Sequence, residues 1–333
     1  MTLPPKMRAL IVEAAGGPLV EREVARPDAG PGEVLVRIAA SGVNPLDVKI
    51  RAGAAAHARH PLPAILGLDL AGTVEAVGPG VTSFKPGDAV FGMTGGVGGV
   101  PGSLAEYAAV DARLLAKKPG NITMRAAAAV PLVFITAWEG LVDRAGIAAG
   151  QRVLVHGGAG GVGHMAVQIA NAFDADVFAT GSAASADYIR AIGATPIDYR
   201  SESVEAYVAK YTGGKGFDLV YDTGGGAILD ASFTAVRRFG HVVSCLGWGS
   251  HALAPLSFRA ASYSGVFTLL PLLTGEGREH HGEIMAEAAR LIAAGEVKPR
   301  LDPREFSFAN ADEAHQAVQL QSTEGKIVVG VSG

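Results

Sequence analysis

The stretch His156–Ala170, HGGAGGVGHMAVQIA, constrains this chain more than any other. It follows the apolar run Val153-Leu154-Val155, so a buried strand ends there, the chain turns on glycine and a helix begins. Gly158, Gly160 and Gly163 stand at G-x-G-x-x-G spacing. In a strand–turn–helix unit the first glycine makes the sharp turn, the second lets backbone approach a pyrophosphate, and the third allows close helix–strand packing. The helix offers its first N–H groups and positive dipole end to the phosphates. Val162, Ala166, Ile169 and Phe173 recur at helical spacing, the apolar stripe of a helix packed on a sheet. Glycine-rich turns are common in a chain with 45 glycines; the order of strand, turn and helix is what points to a bound dinucleotide.

Around this turn the chain changes character. Before about residue 120, short strands are expected at Met7–Val12, Glu33–Ala39, Gly72–Val77 and Ala89–Phe91, separated by Pro31-Gly32, Pro79-Gly80 and Pro86-Gly87. Strands without intervening helices suggest a barrel-like or partly open β domain. Thr94–Gly102, TGGVGGVPG, has the composition of a mobile surface loop, with a substrate lid as the alternative. Thr123–Arg144 holds helical stretches. Strands then alternate with helices at Arg152–Val155, Asp176–Thr180, Thr195–Ile197, Phe217–Asp222 and His241–Leu246, with a sixth at Tyr263–Leu269. That alternation means βαβ units, a parallel sheet and right-handed crossovers. Glu283–Ala294 reads as a helix with Gly295 as its C′ residue, and Lys326–Val331 as a closing strand. The fold class is α/β: a β-rich domain over 1–122, to which 270–333 returns, and a doubly wound parallel sheet over 123–269.

The bulk numbers exclude other classes. A length of 333 residues with 49% hydrophobic and 18% charged residues suits about two well-buried domains. A net charge of −4 gives no electrostatic reason for nucleic acid or anionic membrane as partner. Val266–Leu273 is too short for a membrane span and contains Pro271. The N-terminus lacks a signal-peptide pattern, and the single cysteine, Cys245, permits no intrachain disulfide, so the cytoplasm is the expected compartment.

Further motifs carry a resemblance. Ser41-Gly42-Val43-Asn44-Pro45-Leu46-Asp47, Gly67-Leu68-Asp69-Leu70-Ala71-Gly72-Thr73-Val74 and Lys85-Pro86-Gly87-Asp88-Ala89-Val90 precede the glycine turn. Asp222-Thr223-Gly224-Gly225 and Gly325-Lys326-Ile327-Val328 follow it. In this order they resemble the medium-chain dehydrogenases/reductases, in the zinc-free branch of quinone oxidoreductases and zeta-crystallin. The resemblance implies a GroES-like catalytic domain built from both chain ends, a Rossmann domain between them, and dimers or tetramers joined through the last Rossmann strand. It implies a hydride-transferring reductase of quinones or α,β-unsaturated carbonyls, with a non-catalytic NADPH-binding protein and a zinc alcohol dehydrogenase as alternatives.

Where the zinc branch carries its ligands, this chain has Asn44, Leu68-Asp69 and about Leu132, a poor zinc donor set, so no metal is expected. His57, His60 and the pair His280-His281, placed in a linker, read as solvated. The second Rossmann strand ends at Gly181, and no carboxylate occurs from Thr180 to Ala186. An acid there would bond the ribose hydroxyls of NADH and repel a 2′-phosphate, so NADPH is expected over NADH. Ser182 and Ser185 offer hydroxyls, or cap the following helix; Tyr199 matches a family tyrosine at the 2′-phosphate, while Ser185 replaces the family's lysine. The expected cofactor contacts also take in Ala159, Gly161, Val162, Thr180, Thr223, Gly247, Lys326 and Thr136, the last matching a family threonine near the nicotinamide ribose and phosphates, with helix-core packing as the alternative. The resemblance makes Asn44 and Asp47 the catalytic N-x-x-D, with a turn as the bland alternative. Lys49 stands where many quinone reductases have tyrosine, as proton donor, substrate anchor or plain strand lysine. Trp138 and Trp248 read as core, with substrate platforms as the alternative, and Cys245 as inert core in a strand.

Overall fold

A computed structural model describes residues 4–331, and the chain falls into two units. The first comprises Met1–Leu132, Leu269–Ala294 and Pro299–Gly333; the second comprises Val133–Thr268 and Gly295–Lys298.

In the first unit, β1 (Lys6–Val12) pairs antiparallel with β2 (Leu19–Ala25). The second of these is not legible in the sequence, because LVEREVA buries only Leu19 and shows no clean alternation. The unit is organised by β3 (Glu33–Val43), whose Val34, Leu35, Val36 and Ile38 are fully buried. It runs four residues past the expected end, through small residues that pair well but carry little strand propensity. After the short β4 (Ala64–Ile65) come β5 (Asp69–Val77), β6 (Ala89–Met93), β7 (Tyr107–Asp111) and β8 (Leu115–Lys117). β3 lies between β5 and β7, and β6 joins β5 to β8. Thr94–Gly102 does not lie wholly on the surface; only Gly98, Gly99 and Pro101 are exposed. Gly95, Gly96 and Val97 are buried, and the Gly98 and Gly102 N–H groups donate to the Ala58 and Ile65 carbonyls at 2.8 and 2.9 Å. Its composition misled because glycine here serves close packing: a Cβ on Gly95 would lie 2.2 Å from the Pro101 oxygen.

The second unit is a six-stranded parallel sheet: β9 (Arg152–Val155), β10 (Asp176–Gly181), β11 (Thr195–Asp198), β12 (Phe217–Asp222), β13 (Val236–Ser244) and β14 (Ser262–Gly265). Its spatial order, β11-β10-β9-β12-β13-β14, is that of a doubly wound dinucleotide-binding sheet, with the order reversing beside β9. Leu154, Phe178, Val220 and Val242 pack with Tyr207, Leu229 and Phe233 of the covering helices, which is why these strands read as continuous apolar runs. β14 ends at Gly265, earlier than the expected Leu269, and the next helix, Leu270–Thr274, has Pro271 in its first turn.

The chain then returns to the first unit. The helix Arg278–Ala293 begins before the expected Glu283 and contains His280 and His281, so this pair is not in a linker, and His281 is buried. Gly282 and the run of charged residues hid this start; a Cβ on Gly282 would meet the Arg113 carbonyl at 2.3 Å. Gly295 follows at φ +77°, as the C′ reading requires. Finally β15 (Phe306–Ser307) pairs with β16 (Ile327–Gly330), and β16 lies antiparallel to β3 with Ile327 opposite Val43. This register brings the C-terminal strand alongside Asn44. Among the described residues no helix is long and apolar enough to cross a membrane.

Candidate active site

The glycine turn sits at the carboxyl end of β9, at the point where strand order reverses. The sharp turn falls on Gly157 (φ +72°), not on Gly158 as expected. Gly158 is instead packed on β10: a Cβ there would lie 2.5 Å from the Ala179 Cβ. A Cβ on Gly163 would lie 2.0 Å from the Gly157 oxygen, so the third glycine lets the helix press against the turn. Gly160 caps the helix Gly161–Ala172 in extended conformation, and no side chain takes up the first N–H groups. Gly157, Gly160 and Gly161 are exposed, with Ala159 and Val162 partly so. An uncapped helix start behind an exposed glycine crest fits an anion such as a diphosphate.

Thr180 and Thr223, both expected as cofactor contacts, brace this crest together with Asp222, which sequence reasoning did not single out. The Thr180 Oγ1 accepts from the Gly157 N–H at 3.1 Å and its carbonyl from the Gly158 N–H at 2.9 Å. Thr223 Oγ1 donates to the His156 carbonyl at 2.6 Å. The buried carboxylate of Asp222 accepts from the Gly224 and Gly225 N–H groups and from Ser244 Oγ at 2.7 Å, which folds the loop after β12. Asp before Thr-Gly-Gly at a strand end was the available signal, an Asx-type turn.

His156 Nδ1 lies 3.2 Å from Thr180 Oγ1, and its Nε2 is buried without a hydrogen-bond partner. Burial pushes this imidazole down to about 4, with the Asp222 charge opposing. Between that value and the unfolded pKa near 6.5 the unfolded chain binds more protons, so this contribution is complete above about pH 6.5 and is lost as pH falls toward 4. His156→Gln is expected to flatten the acid limb by up to about 1.4 kcal/mol per pH unit. Urea midpoints of both proteins from pH 7 to 4.5 test this, and parallel curves would refute it.

At the end of β10, Gly181 is followed by a short turn in which Ser185 Oγ donates to the Ser182 carbonyl at 2.8 Å. The Tyr199 N–H donates to the Gly181 carbonyl at 3.3 Å, its ring is 56% exposed, and the Arg200 guanidinium lies 5.7 Å from the ring centroid. Gly158–Gly163, Thr180–Ser182, Ser185, Tyr199 and Thr223 thus gather at the carboxyl ends of four neighbouring strands, β9, β10, β11 and β12. Gly247 lies in the exposed loop after β13. Thr136 is buried in the helix Pro131–Trp138; its hydroxyl is 3.1 Å from Thr268 Oγ1, which donates to Glu139 at 3.1 Å. Trp138 is core, stacked on Phe134, whereas Trp248 is 55% exposed and edge-on to Phe267. Cys245 follows β13 instead of lying in it, and burial pushes its thiol up to about 12, which leaves it unreactive.

Asn44, Asp47 and Lys326 meet in the first unit, where Asp69 joins them. The Asn44 Nδ2 donates to Asp69 at 2.9 Å, and the Lys326 ammonium donates to the Asn44 Oδ1 and, at 3.2 Å, to the Val43 carbonyl. Lys326, expected among the cofactor contacts, makes both of these bonds within the cluster. Asp47 accepts from the Asn44 N–H at 2.8 Å and the Gly67 N–H at 3.1 Å, which starts the helix Pro45–Arg51. All four side chains are buried. Burial raises Asp47 to about 7 and Asp69 to about 6, the latter opposed by the Lys326 ammonium; burial lowers Lys326. Lys49 is exposed on that helix, not in a strand.

A parallel sheet with this crest, in a chain that also carries a GroES-like β unit, defines a nucleotide-dependent oxidoreductase. Models described as the alcohol dehydrogenase GroES-like domain and zinc-binding dehydrogenase match residues 30–120 and 192–329. The chain is 36% identical to 2-methylene-furan-3-one reductase of Solanum lycopersicum, covering 93% of this chain and 74% of that protein. It is 34% identical to an NADPH-dependent alkenal/one oxidoreductase of Arabidopsis thaliana, covering 98% and 80%. A solved alcohol dehydrogenase superfamily protein from Novosphingobium aromaticivorans is 62% identical with a TM-score of 0.96, covering 98% and 100%. The chain spans only 15% of another relative, the spectinabilin polyketide synthase system protein NorB of Streptomyces orinoci. The chain belongs to the medium-chain dehydrogenase/reductase family, in its quinone oxidoreductase-like branch.

The family description implies zinc, and the donors here do not fit it. Among the described residues no group of three or more His, Cys, Asp or Glu side chains is placed to hold a metal ion. At the matching positions Asn44 and Asp69 are bonded to each other, Leu68 has no donor atom, and Leu132 uses its N–H to cap Asp69 at 2.9 Å.

Proposed function

We propose that this protein is an NADPH-dependent, zinc-independent reductase of α,β-unsaturated carbonyls or quinones. The observation that carries the reading is the exposed glycine crest beside a second strand that ends in Gly181, with hydroxyls and Tyr199 where an NADH-selective sheet places a carboxylate. Bound NADPH supplies the hydride. Gly158–Gly163 hold the diphosphate with backbone N–H groups; Ser182, Ser185 and Tyr199 take the 2′-phosphate; Thr136, Thr223 and Gly247 line the rest of the dinucleotide. With no Lewis acid to polarise an alcohol, a conjugated acceptor is the suitable partner. Asn44 and Asp47 are buried and bonded to one another, so in this reading they frame the backbone of the substrate region. Lys49, with its ammonium outside the cluster, delivers the proton.

The test follows NADPH absorbance with enals, enones and quinones, with and without EDTA. Turnover insensitive to EDTA is expected, and Lys49→Met should lower kcat about 100-fold at unchanged NADPH affinity. Absence of turnover with every acceptor, or its loss in EDTA, would overturn the reading. Tight NADPH binding without turnover would support a non-catalytic nucleotide binder, the reading that the burial of Asn44 and Asp47 favours. We also propose a cytoplasmic homodimer joined through β14, which among the described residues pairs only with β13.

A further inference from the structure

We infer that the ammonium of Lys326 is the resident cation of the first unit, occupying the role a metal ion would have there and tying the C-terminal strand to Asn44. The inference deepens the zinc-independent reading and rests on it for the site, though not on turnover.

The geometry runs from register to charge. Ile327 of β16 stands opposite Val43 of β3 in antiparallel pairing, so the sheet sets Lys326 across from Asn44, 282 residues away in the chain. A lysine buried to 6% exposure needs a counter-charge or strong acceptors, because taking an ammonium out of water costs several kcal/mol. Here the acceptors are the Val43 carbonyl and the Asn44 Oδ1, and the counter-charge is Asp69, reached through the Asn44 amide, with Asp47 beyond it. The amide is thereby fixed, its oxygen facing the ammonium and its nitrogen facing the carboxylate.

Every carboxylate oxygen already has a donor. Asp69 is held by Leu132 N–H and Asn44 Nδ2, and Asp47 by Asn44 N–H and Gly67 N–H. A zinc ion would have to displace the ammonium and break these bonds, and it would find no thiolate or imidazole in exchange. The cluster is closed around a covalently attached cation. That explains how a chain of this family keeps buried acids at Asp47 and Asp69 without a metal donor set.

The test is a mutant cycle on the full chain: Lys326→Met, Asp69→Asn and the double variant, read by thermal unfolding. Lys326→Met is expected to lower Tm by about 10 °C, since one partner of a buried charge cluster is left unpaired. The double variant should recover at least half of that loss, because the stranded carboxylate is gone. Lys326→Ala should gain thermal stability from added ethylammonium chloride that wild type does not gain. Affinity for 2′,5′-ADP, measured by calorimetry, should stay at the wild-type value. Additive losses, an unchanged Tm in Lys326→Met, or equal response of Lys326→Ala and wild type to ethylammonium would each overturn the inference. So would a loss of 2′,5′-ADP affinity of about tenfold or more, which would return Lys326 to the cofactor, or stoichiometric zinc in the wild-type protein. If Lys326→Met is insoluble, a soluble double variant supports the inference and an insoluble one overturns it. None of these readouts requires reductase activity, so failure of the acceptor panel leaves the inference standing or falling by itself.

Discussion

Gly163→Ala is expected to destabilise the protein by about 3 kcal/mol or more and to lower NADPH affinity about 100-fold. The added Cβ would stand 2.0 Å from the Gly157 carbonyl oxygen and 2.7 Å from its carbon. Both are backbone atoms, and Gly157 is already committed to a left-handed turn, so neither side can yield cheaply. Relief requires the helix Gly161–Ala172 to move off the end of β9, which carries its first N–H groups away from the crest. Gly160→Ala separates the two consequences. Its Cβ would meet only the Gly157 oxygen, at 3.1 Å, and its backbone is extended. The fold should tolerate it, within about 1 kcal/mol, while the extra methyl stands on the exposed crest and hinders the diphosphate. Scanning fluorimetry and NADPH fluorescence titration give both quantities. The account fails if Gly163→Ala binds NADPH within about twofold of wild type, or if Gly160→Ala unfolds as early as Gly163→Ala.

This pair also marks how far a sequence can be read. Strand, turn and helix around His156–Ala170 were legible because apolar periodicity and glycine spacing report backbone requirements directly. The division of labour among the glycines was not. Spacing assigns the turn to Gly158, but the left-handed residue is Gly157, one place earlier, and only the packing of Gly158 on Ala179 reveals the shift. β2 escaped because one buried leucine gives no alternation, and Thr94–Gly102 was misread because glycine marks close contact as readily as mobility. In the first unit Asn44 and Asp47 were legible as a pair. Their tie to Asp69 and Lys326 was not, since it depends on the register of β16 against β3, which pairs residues almost a chain length apart. Thr180, which holds the crest, was read as a cofactor contact at a strand end, and Asp222 only as part of a family motif. Their hydrogen bonds to glycine N–H groups become visible only once β10, β9 and β12 are side by side.

Gly181→Asp should reverse the cofactor preference, lowering NADPH affinity about 100-fold and raising NADH affinity about tenfold. Gly181 ends β10 and holds Tyr199 through its carbonyl, so a side chain there would project where the adenosine ribose of a dinucleotide on this crest must pass. A carboxylate at that point accepts the two ribose hydroxyls and repels a 2′-phosphate by like charge. The fit needs room: a Cβ would meet Ser185 Oγ at 2.5 Å and Ile189 Cδ1 at 2.6 Å, both ends of side chains able to turn aside. Ser185→Gly beside Gly181→Asp removes the first obstacle together with one hydroxyl offered to the phosphate, so the double variant should favour NADH more strongly than the single one. Binding of 2′,5′-ADP against 5′-AMP isolates the effect from catalysis, because the two ligands differ only in the 2′-phosphate. An unchanged ratio of these affinities in the double variant would mean that the end of β10 does not face the ribose, and the choice between NADPH and NADH would then have to be made elsewhere on the sheet.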